Sequence, residues 1–143
     1  MLQTLYAQVS LIAFLAVAGA CWLWGGRTER LGAIGLMAVT LAAMLLQHQD
    51  WKAVQYGLLV SDTLLAGFFI WLTLKSHRLW PPFAAAIQLL SVLFHLGRIA
   101  DAGLRPAVYL HALGAVSYVL LFIMAIGVWS AWKDRRRAVV RTA

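Results

Sequence analysis

The chain has 143 residues, of which 63% are hydrophobic and only 12% are charged, and its formal net charge is +7. A soluble domain carries about a quarter charged residues, so this composition excludes a water-facing globular surface and predicts an integral membrane protein. The length leaves room for one helical bundle and no separate soluble domain. The basic residues are spread over short loops and one tail, so we expect no nucleic-acid partner.

Five apolar stretches are long enough, or nearly so, to cross the roughly 30 Å hydrocarbon core of a bilayer as helices. In chain order they are residues 5–24, 31–47, 54–74, 82–97 and 108–130. Short polar connections separate them, and prolines lie at the starts of the last two, where a helix needs no amide donor. The sequence therefore predicts an all-α integral membrane protein. A single bundle of five transmembrane helices occupies residues 1–131, and a basic tail occupies residues 132–143.

The basic residues predict the orientation of this bundle. Five spans place the termini on opposite sides, and nine of the twelve Lys and Arg residues share one side: two in the first loop, two in the third and five in the tail. Because basic loops stay in the cytoplasm, we expect a cytoplasmic C-terminus and an outer N-terminus, in the inner (plasma) membrane. We also expect the tail to contact anionic lipid headgroups. Its basic residues are Lys133, Arg135, Arg136, Arg137 and Arg141.

The tryptophans lie at positions that agree with this orientation. Six of the seven fall at predicted inner ends of spans, where an aromatic ring with a polar edge suits the headgroup level. They are Trp22, Trp24, Trp71, Trp80, Trp129 and Trp132.

A layer of polar residues is predicted near the outer ends of the second, fourth and fifth spans. It contains the histidines His48, His95 and His111, with the acidic residues Asp50 and Asp101 just above them. Imidazole and carboxylate together suit zinc, copper or iron, and two histidines on facing helices can hold a b-type haem. The spacing of these residues along the chain is diagnostic of neither a metal site nor a haem site. We prefer an interpretation as interfacial residues without a cofactor, because polar residues near helix ends are ordinary there.

Asp62 is the acidic residue predicted to lie deepest in the membrane. It lies about 13 Å below the outer end of the third span, near the middle of the core. A carboxylate at that depth costs about 2.5–3.5 kcal/mol, so we expect it to face the bundle interior. Gln88 and Tyr118 lie at nearly the same depth, which predicts a buried polar layer of these three residues. This layer either stabilises the packing of the helices or of a partner protein against them, or it binds a proton, cation or ligand.

The sequence contains no Ser-His-Asp arrangement, Walker loop, CxxC or GxGxxG, so hydrolase, nucleotide-binding and redox-thiol functions lack support. With short loops and one isolated mid-membrane acid, the chain is expected to be a non-enzymatic accessory or interaction subunit of a larger membrane complex. Its partner would be another membrane protein or further copies of itself. One alternative is a small ion- or proton-coupled carrier or channel that uses Asp62, as a homo-oligomer. A second is a haem- or metal-binding membrane protein that uses the outer histidines.

Overall fold

The structure is a computed structural model that describes residues 2–46, 56–101, 103 and 105–141. Over these ranges it is all-helical, with five helices and no strands. The helices are α1 (Leu2–Trp24), α2 (Arg27–Leu46), α3 (Tyr56–Lys75), α4 (Trp80–Ala100) and α5 (Pro106–Arg141). Each predicted span coincides with one of these helices over the described residues.

Three of the helices, α3, α4 and α5, are long and apolar enough to cross a membrane. Helix α1 contains a shorter apolar segment, Gln8–Trp24. The outward surfaces of the helices are rich in large apolar side chains, as lipid contact requires. Examples from each helix in turn are Leu15, Leu41, Leu64, Phe83 and Phe122, all more than half exposed. The chain is therefore a helical membrane protein, whereas the full five-span topology stays a prediction.

Helix α5 is longer than predicted. It runs without a break for 36 residues, so the basic segment that was expected to be a separate tail is helical as far as Arg141. At 1.5 Å rise per residue its length is about 54 Å, well beyond the hydrocarbon core. The basic end of α5 therefore extends out of the core as a continuation of the last helix.

The helices form a closed ring in which each contacts its neighbours in the chain, and α1 closes the ring against α5. The apolar core is drawn from all five helices. It includes the Trp80 ring, which lies edge-on to Phe69 with centroids 6.0 Å apart and is only 5% exposed. The Trp80 indole is therefore enclosed between helices, and its predicted position at the inner end of the fourth span stays a prediction.

Two glycines make room for the Trp80 ring. A Cβ atom on Gly127 of α5 would lie 2.6 Å from Trp80 Cδ1, and one on Gly32 of α2 would lie 2.5 Å from Trp80 Cη2. Small residues allow membrane helices to approach closely, and here Gly32 and Gly127 let α2 and α5 pack against the Trp80 side chain from the first turn of α4.

Candidate functional site

Four polar residues form a stripe along the buried face of α4. Gln88, Ser91, His95 and Arg98 are between 1% and 9% exposed. Their spacing of three, four and three residues places them on one helix face. Burying polar groups is costly unless they are hydrogen-bonded, so the stripe requires partners on the facing helices.

Asp62 of α3 is the partner of two residues in this stripe. Its Oδ2 atom accepts a hydrogen bond from Ser91 Oγ at 2.5 Å and lies 3.0 Å from His95 Nε2. The His95 side chain is 1% exposed and that of Asp62 is 24% exposed. Since a carboxylate has only acceptors, Nε2 carries a proton whenever it donates to ionised Asp62. Two donors from α4 thus converge on one oxygen of α3.

Tyr109, in the first turn of α5, engages the other ring nitrogen of His95. Its hydroxyl lies 2.5 Å from His95 Nδ1, and the two rings meet edge to face with centroids 5.5 Å apart. In neutral His95 with Nε2 protonated, Nδ1 accepts from the tyrosine; in the imidazolium, Nδ1 donates to the tyrosine oxygen. The hydrogen bond between Tyr109 and His95 can therefore form in either charge state of His95, because the tyrosine hydroxyl hydrogen only has to rotate.

We call Asp62, Ser91, His95 and Tyr109 the polar chain. It links α3, α4 and α5 through consecutive hydrogen bonds in the bundle interior. Three of its four members are at most 4% exposed. The arrangement can hold a proton at three titratable groups in series.

The predicted layer of Asp62, Gln88 and Tyr118 is only partly brought together. Gln88 is buried on the same face of α4, but within the described residues the donors to Asp62 are Ser91 and His95. Tyr118 lies elsewhere: its hydroxyl is 2.7 Å from Ser10 Oγ of α1. Similar depth along the helix axes does not specify which neighbour a side chain faces, and Tyr118 faces α1 through its contact with Ser10.

The predicted outer histidines do not share a site over the described ranges. His95 uses both ring nitrogens inside the bundle, whereas His111 is exposed and its Nδ1 lies 2.6 Å from the Ala107 carbonyl oxygen of its own helix. Asp101 accepts a hydrogen bond from the Gly103 amide in the turn after α4. In the part of the chain that the structure describes, no three His, Cys, Asp or Glu residues are grouped to hold a metal ion. The predicted residues His48 and Asp50 lie outside the described residues.

A second buried carboxylate lies near the opposite end of the bundle. Glu29 is 1% exposed, and its two oxygens accept hydrogen bonds from Trp80 Nε1 at 3.0 Å and from the Gly26 amide at 2.8 Å. Arg78 lies 3.6 Å away and also pairs with Asp134 at 2.6 Å. The bond back to Gly26 is half of a capping box, in which a glutamate in the first helical turn satisfies the amide before the helix.

Sequence reasoning missed Ser91, Tyr109 and Glu29 as members of these two clusters. A signal for the first cluster was present, since the polar residues of the fourth span recur on one helix face. A signal for the Glu29 cluster was that this acidic residue lies between Arg27 and Arg30 in the polar connection predicted between the first two spans. No local pattern indicated Tyr109, because its role depends on how α5 packs against α4.

No protein-family model, curated protein or solved structure matches this chain. The fold and the polar chain therefore define the class: a small all-helical membrane protein with an Asp-His-Tyr network buried between three helices.

Proposed function

We propose that this protein is a small multi-pass protein of the inner (plasma) membrane that takes up and releases a proton at Asp62, as part of proton- or ion-coupled transport. The observation that carries the proposal is the unbroken sequence of hydrogen bonds from Tyr109 through His95 to Asp62. Chains of acidic and histidine side chains within membrane helices are typical of proton relays in pumps and transporters.

The geometry supports a defined proton route. Tyr109 lies three residues after the start of α5 and so is the member nearest the turn between α4 and α5. A proton accepted by the Tyr109 hydroxyl releases the original hydroxyl proton to His95 Nδ1, and His95 Nε2 then passes its proton to Asp62. This leaves Asp62 neutral and His95 in its other tautomer, and the same steps in reverse restore the starting state.

The test is infrared difference spectroscopy of the full chain in liposomes, between alkaline and acidic pH. We expect the carbonyl stretch of a protonated carboxyl group to appear on acidification, and we expect Asp62→Asn to abolish it. Asparagine is nearly isosteric and keeps an acceptor for Ser91, so the fold is preserved. The matched control is Asp101→Asn, which changes an exposed carboxylate in the α4–α5 turn. A carboxyl band that persists in Asp62→Asn and disappears in Asp101→Asn overturns the proposal.

The accessory-subunit function remains the second candidate, and one observation favours it. The Asp62 side chain is 24% exposed on a helix whose neighbouring residues Val60 and Leu64 are 52% and 64% exposed. A carboxylate open to lipid is unfavourable, so a helix of another protein or of a second copy would stabilise this surface. Native mass spectrometry of the untagged protein, released from its own membrane in mild detergent, tests this. Detection of a different polypeptide at fixed stoichiometry supports the accessory function. Detection of a monomer alone contradicts assembly with another protein and with a second copy.

A further inference from the structure

A basic cavity lies at the corner where α1 ends and α2 begins. It has a volume of about 430 Å³, and four arginine residues are among those that line it. They come from three separate parts of the chain: Arg27 and Arg30 from α2, Arg78 from the α3–α4 connection and Arg135 from the end of α5. We call these four residues the arginine corner.

The arginine corner carries excess positive charge. Two carboxylates contact it, Glu29 and Asp134, and both pair with Arg78. Four guanidinium groups against two carboxylates leave an excess of two positive charges. Of the four arginines, only Arg78 forms an ion pair within the part of the chain that the structure describes. The cavity therefore has the charge that an anion requires.

Two of the arginines are held in place by contacts that leave donors available. Arg30 lies over the Trp22 ring at 5.6 Å from its centroid, and Arg135 donates to the Trp24 carbonyl oxygen at the end of α1. A guanidinium group has five N–H donors in a planar fork that matches phosphate oxygens, so each arginine retains donors for a ligand. Arg135 also brings the basic end of α5 to this corner.

The cavity is apolar on its membrane side. Leu31 and Ile34, each one turn deeper along α2 than Arg27 and Arg30, also line it, together with Trp22. Trp22 and Ile34 are 58% and 50% exposed. Basic groups above an apolar wall, at the level of an exposed tryptophan, match the headgroup and upper acyl chain of a phospholipid.

We propose that the arginine corner is a binding site for one anionic phospholipid, with its phosphate-bearing headgroup on Arg27, Arg30 and Arg135 and an acyl chain along Leu31 and Ile34. The apolar wall favours a lipid over free phosphate, which would leave it uncovered. This site is separate from the polar chain and does not depend on the proposed proton uptake. It also differs from general attraction of lipid by the basic end of α5, because it assigns the lipid to a cavity formed by three parts of the fold.

The experiment is native mass spectrometry of the full chain in detergent, titrated separately with phosphatidylglycerol, phosphatidylcholine and inorganic phosphate. The test variant is Arg27→Gln/Arg30→Gln, which leaves the contacts of Glu29 with Trp80, Gly26 and Arg78 intact. The control variant is Lys133→Gln/Arg137→Gln, which removes the same charge from exposed positions of α5 outside the cavity.

We expect the wild type and the control variant to retain one phosphatidylglycerol molecule in preference to phosphatidylcholine. At about 1 kcal/mol per basic residue, the test variant should bind phosphatidylglycerol roughly thirtyfold more weakly. An equal loss of affinity in both variants overturns the proposal, because binding would then follow net charge alone. Displacement of the lipid by inorganic phosphate also overturns it, because the site would then recognise phosphate without the acyl chain.

Discussion

His95 is the residue on which the polar chain depends, because both of its ring nitrogens are occupied by partners on different helices. Nε2 lies 3.0 Å from an Asp62 oxygen and Nδ1 lies 2.5 Å from the Tyr109 hydroxyl. An imidazole ligated to haem or metal needs one nitrogen free of such a partner. The geometry of His95 therefore favours proton exchange over ligation.

Tyr109→Phe is expected to destabilise the protein while leaving the ring packing in place. The phenyl ring keeps the edge-to-face contact, but His95 Nδ1 loses its partner in a site that is 1% exposed. Hydrogen bonds between membrane helices contribute about 0.5–2 kcal/mol, so the free energy of unfolding in mixed micelles should fall by that amount. Tyr56→Phe, which removes the hydroxyl of a 61% exposed tyrosine, is the matched control and should have little effect. Equal effects of the two changes would mean that the bond to His95 contributes nothing.

Glu29 shows how a single buried carboxylate organises the opposite end of the bundle. Its oxygens accept from Trp80 of α4 and from the amide before α2, and the nearby Arg78 extends the cluster to Asp134 of α5. A buried carboxylate is tolerated only when charged or hydrogen-bonding partners surround it, as they do here. These contacts also hold Arg78 in place within the arginine corner.

At the scale of elements, the packing of α2, α4 and α5 depends on the Trp80 indole and the glycines that face it. The ring is too large to fit between three helices unless the facing positions lack side chains. Polar contacts join two other pairs of helices. Ser10 and Tyr118 form a hydrogen bond between α1 and α5, and Ser91 donates to Asp62 between α4 and α3.

Gly127→Ala is expected to destabilise the bundle by about 1–3 kcal/mol, because the new methyl group would overlap the Trp80 ring. The same change at Gly67 of α3 is the control, since a Cβ atom there has nothing within 4 Å. Gly67→Ala should leave stability unchanged or raise it by up to about 1 kcal/mol, since alanine favours the helix. Unfolding midpoints of both variants in the same detergent check this. An unchanged unfolding midpoint for Gly127→Ala would show that the Trp80 ring moves aside without loss of stability.

At the scale of the whole molecule, the arrangement of charge along the bundle predicts its orientation. The first turn of α2, the connection between α3 and α4 and the end of α5 all carry basic residues, and the net charge of the chain is +7. Because basic segments are retained in the cytoplasm, these three regions should share the inner side.

Single cysteines in a Cys21→Ser background test this orientation in intact cells. We expect a membrane-impermeant maleimide to label Gly103→Cys from outside. We expect it to label Arg27→Cys, Leu79→Cys and Arg137→Cys only after the membrane is opened, because five spans place these positions inside. Permeabilised cells, in which all four should react, control for accessibility. Labelling of Leu79→Cys from outside would rule out the predicted order of the spans.

The sequence by itself determined the helical membrane class and the position of each helix, because a continuous apolar run of sufficient length is stable in lipid only as a helix with its backbone bonds satisfied. It also identified Asp62, because the cost of a carboxylate depends on depth, and depth follows from residue counting. It did not predict that α5 continues through the basic segment as far as Arg141, although lysine, arginine and alanine are good helix formers.

Only the tertiary structure decided which side chains meet. Residue counting gives the level of a side chain along its helix axis, but the helix face opposite it depends on the rotation and order of all five helices. For this reason Asp62 contacts Ser91 and His95, Tyr118 contacts Ser10, and Tyr109 completes the polar chain from the start of α5. The arginine corner has the same origin, since three segments distant in sequence meet there because α1 and α5 close the ring.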